Sequence, residues 1–334
     1  MRIVLDECFR DIAHLHIKGH DVEFYRSGVR SGAFADPEEF LQQVGDADVL
    51  GCGGPGPWPF DEGIIRALPR LRFVHKIGSG TNWFDVSALS SHGVLLATNA
   101  GLNAMSVADH LVMLMLLSLR SAFDPILSMR QGAWTFVPPD RIIEVEDTTV
   151  GIIGFGSVGS EVARRVLGFG NVTVLAHQRR PLNPSAAPPG VRWAPFDELL
   201  RQCDVVIVCV PLTHETDHLL GARALASMRP GSILINGSRG RVVDETALFD
   251  ALTSGQLRAA ASDVFDQEPV RPDNPLLQLP NFIGTPHMAG RSRRNSPRQL
   301  AQALENINRF LSGERPHRLV NPEILDRFVG FVGS

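Results

Sequence analysis

The chain has 334 residues, enough for two domains of ordinary size. Hydrophobic residues make up 44% and charged residues 20%, so a packed core is expected and intrinsic disorder is not. A formal net charge of −4, with basic residues scattered along the chain, argues against a nucleic-acid surface.

The N-terminal run MRIVLDECF meets an acid at Asp6 and so lacks the apolar stretch of a signal peptide. Residues 3–5, 22–24, 48–50, 72–75 and 94–96 are strand candidates, separated by polar turns rich in Gly and Pro such as 53–57. Their alternation with helical stretches predicts a parallel sheet with crossover helices. A long helix is expected from about Ser106. Its run 107–119 is apolar nearly all round, interrupted by Asp109, His110 and Ser118, and should be buried on most sides. The longest uninterrupted apolar stretch, 111–117, is too short to span a bilayer. Pro125 and the stretch 134–140 read as a loop that ends this region.

A second alternating block begins at Thr149. Strands are expected at 150–153, 172–175, 205–210, 232–235, 259–262 and 282–283, with a helix at 157–167. From Arg291 the chain turns polar, and 297–311 reads as an amphipathic helix. The tail after Gly313 carries too little apolar content for a further domain. The four cysteines, Cys8, Cys52, Cys203 and Cys209, form no C-x-x-C pair. A reducing, cytoplasmic location is therefore expected, with no metal site.

The segment GFGSVG at 154–159 is a G-x-G-x-x-G that directly follows an apolar strand and opens a helix. In that context the pattern marks a dinucleotide-binding, Rossmann-like turn. Gly154 permits the tight turn, Gly156 lets a pyrophosphate approach the backbone, and Gly159 lets helix and strand pack closely. Ser157 and Val158 open the helix and offer free N–H groups to the anion. The next strand runs into His177, Gln178, Arg179 and Arg180. A site for NAD usually carries Asp or Glu there, and none stands between Val172 and Ser185. The neutral Gln178 and the two arginines favour the 2′-phosphate of NADP over NAD. The bland alternative leaves Arg179 and Arg180 as solvated loop charges.

Three later segments bring polar groups to strand ends: INGSRG at 235–240, SDVFDQEP at 262–269 and TPHMAG at 285–290. They offer Arg239, Glu268 and His287 at the sheet edge where open α/β folds bind ligands. A core histidine, a solvated acid and a helix-end arginine are the alternatives.

The segments at 154–159, 204–213, 228–248, 263–269 and 285–290, in this order and spacing, resemble the D-isomer-specific 2-hydroxyacid dehydrogenase family. The resemblance covers nearly the whole chain. NAGLNAMSVADH at 99–110 resembles the family's hinge, with Asp109 where Glu is commoner, and KIGSGTNWFD at 76–85 resembles its carboxylate loop. It implies two Rossmann-like, doubly wound parallel-sheet domains. A discontinuous substrate domain would span 1–103 and 291–334, and an NAD(P)-binding domain 104–290. It further implies hydride transfer between NAD(P)H and a small 2-keto or D-2-hydroxy acid, with glyoxylate or hydroxypyruvate the first expectation.

Within that resemblance His287 is the acid and base, and Glu268 orients it and favours the imidazolium. Arg239 holds the substrate carboxylate and polarises the 2-oxygen, helped by the N–H groups of Ser79 and Gly80. Val210 and Pro211 would lie under the adenosine ribose, Asp263 would contact the carboxamide, and Val107 would open the helix crossing to the cofactor. A C2 homodimer with the helix at 107–119 in its interface is also implied. Trp83 and Phe84 stand where smaller aliphatic residues are common; packing or a narrowed substrate pocket would each account for them. Phosphoglycerate or phosphite oxidation and an NAD(H)-sensing, corepressor-like binding protein stay open as rivals. Formate oxidation is disfavoured because Glu268 stands where formate oxidisers carry Gln.

Overall fold

A computed structural model of the chain describes residues 1–10, 17, 19–26, 36–53, 59–179 and 188–328. Two compact units share it, Met1–Asn103 with Ser292–Ser334, and Ala104–Arg291.

In the first unit, β1 (Arg2–Asp6), β2 (Asp21–Tyr25), β3 (Val49–Cys52), β4 (Phe73–Lys76) and β5 (Leu95–Thr98) form one parallel sheet ordered β2-β1-β3-β4-β5. Every residue of β3 and β5 is buried, which is why these strands read as continuous apolar runs rather than alternating ones. The helices Pro37–Val44, Glu62–Arg66 and Val86–Ser91 each start behind an aspartate that accepts a first-turn N–H: Asp36, Asp61 and Asp85. The C-terminal helix Asn295–Leu311 belongs to this sheet. Its Ala303, Leu304, Ile307 and Phe310 pack with Ile3, Leu5 and Phe73, and the Phe310 ring stacks on Phe73 at 4.8 Å. Asn321 then pins the tail: its side-chain oxygen accepts from Leu96 N, and its nitrogen donates to Val94 O.

In the second unit, β6 (Thr149–Ile153), β7 (Thr173–His177), β8 (Val191–Trp193), β9 (Val205–Val208), β10 (Ser232–Asn236), β11 (Leu257–Ser262) and β12 (Phe282–Gly284) form a parallel sheet ordered β12-β11-β10-β9-β6-β7-β8. Strand order reverses between β6 and β9, so a crevice opens at the carboxyl ends of these two strands. The expected class, two parallel-sheet α/β folds, is what the structure has. The helix Ala104–Leu119 packs on the helix Ser157–Val166 and on β10 and β11, with Ala108, Leu111, Leu114 and Met115 fully buried.

Two local expectations are corrected, and one strand is new. Pro125 does not end helical structure: it lies in the first turn of a second helix, Phe123–Arg130, where its missing N–H would have had no partner. The strand expected at 205–210 stops at Val208, leaving Cys209 and Val210 in the following loop. The edge strand β8 was not anticipated, because three residues are too few to display an alternation. No single helix among the described residues is long and apolar enough to cross a membrane. The pair Ala104–Leu119 and Phe123–Arg130 passes only jointly and is bent by 82°.

Candidate active site

The turn after β6 carries the fingerprint. Gly154 has φ of +94°, a left-handed backbone that needs no strain only in glycine, and a Cβ at Gly159 would sit 2.1 Å from the Gly154 carbonyl oxygen. By contrast a Cβ at Gly156 would meet nothing within 4 Å. Gly156 is the N-cap of the helix Ser157–Val166 and supplies no side-chain cap, so the N–H groups of Ser157 and Val158 have no intrahelical acceptor. An open face at the central glycine, with first-turn N–H donors that lack an intrahelical acceptor and the positive end of a helix dipole beside it, fits a dinucleotide pyrophosphate.

At the end of β7, the buried side-chain oxygen of Gln178 has no hydrogen-bond partner among the described residues, as a group awaiting a ribose hydroxyl would. Arg179 is exposed, and its Nη1 lies 2.9 Å from Oε1 of Glu215. That pairing was not foreseen from the sequence. Thr213 steadies the acid by donating to its other oxygen at 2.8 Å. Hydrogen bonding from Thr213, with the Arg179 charge, holds the Glu215 carboxyl below its ordinary value. Arg180 lies outside the described residues. Val210 and Pro211 are in the loop after β9, and Val107 is buried in the core beneath β6 and β10.

The loops after β10, β11 and β12 bring the catalytic candidates together. Asn236, at the end of β10, turns the chain: its side-chain oxygen accepts from Ser238 N–H and Oγ, and its nitrogen donates to Arg239 O. A Cβ at Gly240 would lie 1.9 Å from the Phe265 carbonyl carbon, so only glycine lets the Arg239 loop press against the Phe265–Glu268 loop. Arg239 is mostly buried, and this burial pulls its guanidinium below the ordinary value, with the Glu268 charge opposing. Glu268 is held at both oxygens: Oε1 accepts from Phe265 N–H at 3.0 Å, and Oε2 lies 2.6 Å from His287 Nδ1. Partial burial pushes its carboxyl up. The bond and charge of His287, the Phe265 N–H and Arg239 together outweigh that and hold it below the ordinary value.

His287 follows β12 with φ of +46°. Asp263, only 2% exposed, closes that turn: its carboxylate accepts from Thr285 Oγ1 at 2.6 Å, Met288 N at 2.9 Å and Ala289 N at 2.8 Å. Sequence reasoning missed Asn236 and Thr285 as turn-holding residues. Their signal was a short polar side chain directly at a strand end, where it competes for backbone hydrogen bonds.

In the first unit, the loop of residues 77–82 is tied by Asn99, whose side-chain oxygen accepts from Gly78 N. Among the described residues the N–H groups of Ser79 and Gly80 have no acceptor. Phe84 is buried and packs against Phe60 at 5.2 Å, which accounts for it as core, whereas Trp83 is 41% exposed. No group of three or more His, Cys, Asp or Glu side chains able to hold a metal occurs among the described residues.

Residues 112–289 match the model of the D-isomer specific 2-hydroxyacid dehydrogenase NAD binding domain. The chain is 35% identical over 270 residues to a glyoxylate reductase of Korarchaeum cryptofilum, covering 80% of this chain and 81% of that one. It is 37% identical over 280 residues to a glyoxylate/hydroxypyruvate reductase B of Pectobacterium atrosepticum, covering 83% and 86%. Among solved structures, a glyoxylate reductase from Paecilomyes thermophila superimposes with a TM-score of 0.82 at 27% identity, over 96% of this chain and 99% of that one. These relatives do not favour phosphite oxidation, phosphoglycerate oxidation or a corepressor. The strand orders, the fingerprint turn and the length of these matches lead to one assignment: the chain belongs to the D-isomer specific 2-hydroxyacid dehydrogenases, and is an NAD(P)-binding oxidoreductase.

Proposed function

We propose that this enzyme reduces a small 2-keto acid, glyoxylate or hydroxypyruvate, with NADPH. The observation that carries the chemistry is the 2.6 Å contact of His287 Nδ1 with Glu268, beside the partly buried Arg239. The relatives' reductase names support the substrate class. When bound, the nicotinamide supplies the hydride. His287 gives the proton that the developing 2-oxyanion needs and takes it back in the reverse direction. With Nδ1 committed to Glu268, the proton leaves from Nε2. Arg239 binds the carboxylate and polarises the 2-oxygen, because a guanidinium presents a planar fork of donors. In the first unit, the N–H groups of Ser79 and Gly80, without an acceptor among the described residues, suit an anionic group. Gly154, Gly156, Ser157, Val158 and Gly159 hold the pyrophosphate, and Val210, Pro211 and Val107 line the cofactor. Asp263 contacts the carboxamide and also shapes the His287 turn, since its carboxylate accepts from Met288 N and Ala289 N.

Cofactor choice rests on the end of β7. Gln178 removes the charge that would repel a 2′-phosphate, and Arg179 supplies a cation within reach. Its pairing with Glu215 is exposed at both ends and screened by solvent, and so yields to a phosphate. One charge-assisted hydrogen bond contributes about 1.5–3 kcal/mol, a preference for NADPH of roughly ten- to a hundredfold. A turnover assay across keto acids with both cofactors, in the parent and in Gln178→Asp, measures this. A parent that prefers NADH would refute it, as would a Gln178→Asp variant that keeps the parental preference.

The reading includes a cytoplasmic C2 homodimer. Its supports are four free cysteines and exposed apolar side chains on and after the helix Ala104–Leu119, among them Met113, Ile126, Met129, Trp134 and Phe136. Cell fractionation tests the location. In light scattering at micromolar concentration the expected mass is twice that of the 36.5 kDa chain, and a monomer there would remove the dimer.

A further inference from the structure

The helix Ala104–Leu119 is apolar nearly all round, and a polar side chain buried on it costs stability unless it finds a partner. His110 is such a residue, its side chain only 10% exposed. Its Nε2 lies 2.9 Å from the Thr285 hydroxyl and 3.5 Å from Asp263 Oδ1. The directions of these bonds follow from the donor inventory. An ionised Asp263 can only accept, so Thr285 gives it the one hydroxyl hydrogen, over 2.6 Å. The Thr285 oxygen then offers only lone pairs, and His110 Nε2 must carry the hydrogen that they receive.

Asp263 passes the constraint onward. Its Oδ1 and Oδ2 take the N–H groups of Met288 and Ala289, and its backbone oxygen takes the His287 N–H at 2.9 Å. Those three amides belong to His287 and the two residues after it. They hold a left-handed backbone that a residue with a Cβ leaves unless its surroundings over-determine it. The chain of contacts therefore runs from a rigid buried helix to the turn that aims the imidazole.

We propose that His110 is a positioning residue for the reaction: through the Thr285 hydroxyl and the Asp263 carboxylate it fixes the left-handed turn that presents His287 to Glu268. This inference rests on His287 being the proton donor. A histidine that merely satisfies the core would cost stability when lost but would not act on the chemical step.

The test measures kcat, KM for the keto acid, Kd for NADPH and the unfolding temperature in four variants: His110→Leu, His110→Gln, Thr285→Val and Thr285→Ser. His110→Leu and Thr285→Val should each lower kcat by about three- to tenfold, since small misplacements of a reacting group are costly, with NADPH Kd within about twofold of the parent. His110→Gln and Thr285→Ser, which keep the N–H and the hydroxyl, should recover most of the parental kcat. The double variant His110→Leu with Thr285→Val should fall no further than the worse single one, because both break one chain of contacts. Parental kcat in both His110→Leu and Thr285→Val would overturn the proposal. So would a kcat loss that neither conservative variant recovers at an unfolding temperature matching the parent. If His110→Leu does not fold, Thr285→Val carries the test, since it keeps the side chain's shape and removes only the hydroxyl. His287→Ala, measured alongside, separates the two readings. Parental turnover there removes the His287 assignment, whereas an inactive His287→Ala with parental His110→Leu and Thr285→Val removes only the positioning role.

Discussion

Replacing His287 with alanine is expected to lower kcat by roughly 10²-fold or more while NADPH binding stays nearly intact, the scale on which a positioned general acid contributes. The expectation follows from the geometry of the loop after β12. Hydride arrival at a keto carbon leaves charge on its oxygen, and a proton must reach that oxygen in the same step or soon after. His287 is half-exposed, so Nε2 is open to a ligand while Nδ1 is occupied by Glu268 at 2.6 Å. Glu268 is held below its ordinary carboxylate value, so it stays charged well into acid solution. The sign follows: a lowered carboxyl contributes its stabilisation at and above its unfolded value, and the ion pair is lost as the pH falls through the folded one. Steady-state kinetics at saturating keto acid, with NADPH Kd from fluorescence, checks the prediction. A variant that turns over at the parental rate would show that the proton comes from elsewhere.

The second large effect is expected at Arg239. Arg239→Ala should raise KM and lower kcat together, a loss of roughly 10²- to 10³-fold or more in kcat/KM, the cost of removing one donor aimed at developing charge. In the proposed mechanism one guanidinium holds the substrate in the ground state and stabilises the oxyanion in the transition state, so neither constant alone should absorb the loss. Arg239→Lys should recover little. Burial already pulls the guanidinium downward from a very high starting value, where it remains charged. An ammonium starts lower, is more strongly hydrated and lacks the planar fork, so the same burial costs it more. Full recovery by lysine would count against two-pronged binding of the carboxylate.

The residue types in this chain were sufficient for much of this. Glycines at 154, 156 and 159 behind an apolar strand announced the nucleotide turn, since no other residue tolerates the backbone of Gly154 or the space left at Gly159. The parallel sheets were legible because strands buried on both faces appear as apolar runs. The family resemblance implied the pairing of Glu268 with His287, and the two side chains lie 2.6 Å apart.

Other features depend on groups far apart in sequence, and no local pattern carries them. The junction of Asn295–Leu311 with the first sheet depends on which apolar faces meet, and Phe310 finding Phe73 across more than two hundred residues has no local signature. Glu215 reaching Arg179 changes how freely the loop after β7 presents its charge, yet a loop acid carries no sequence mark of its partner. His110 appeared as an interruption in an apolar helix. Only the packed structure sets it beside Thr285 and Asp263, because buried polar groups satisfy one another through space rather than along the chain. Sequence determined which backbone turns and strand cores can exist here. Tertiary packing decided which polar groups share a burial, and so which of them contact the turn that carries His287.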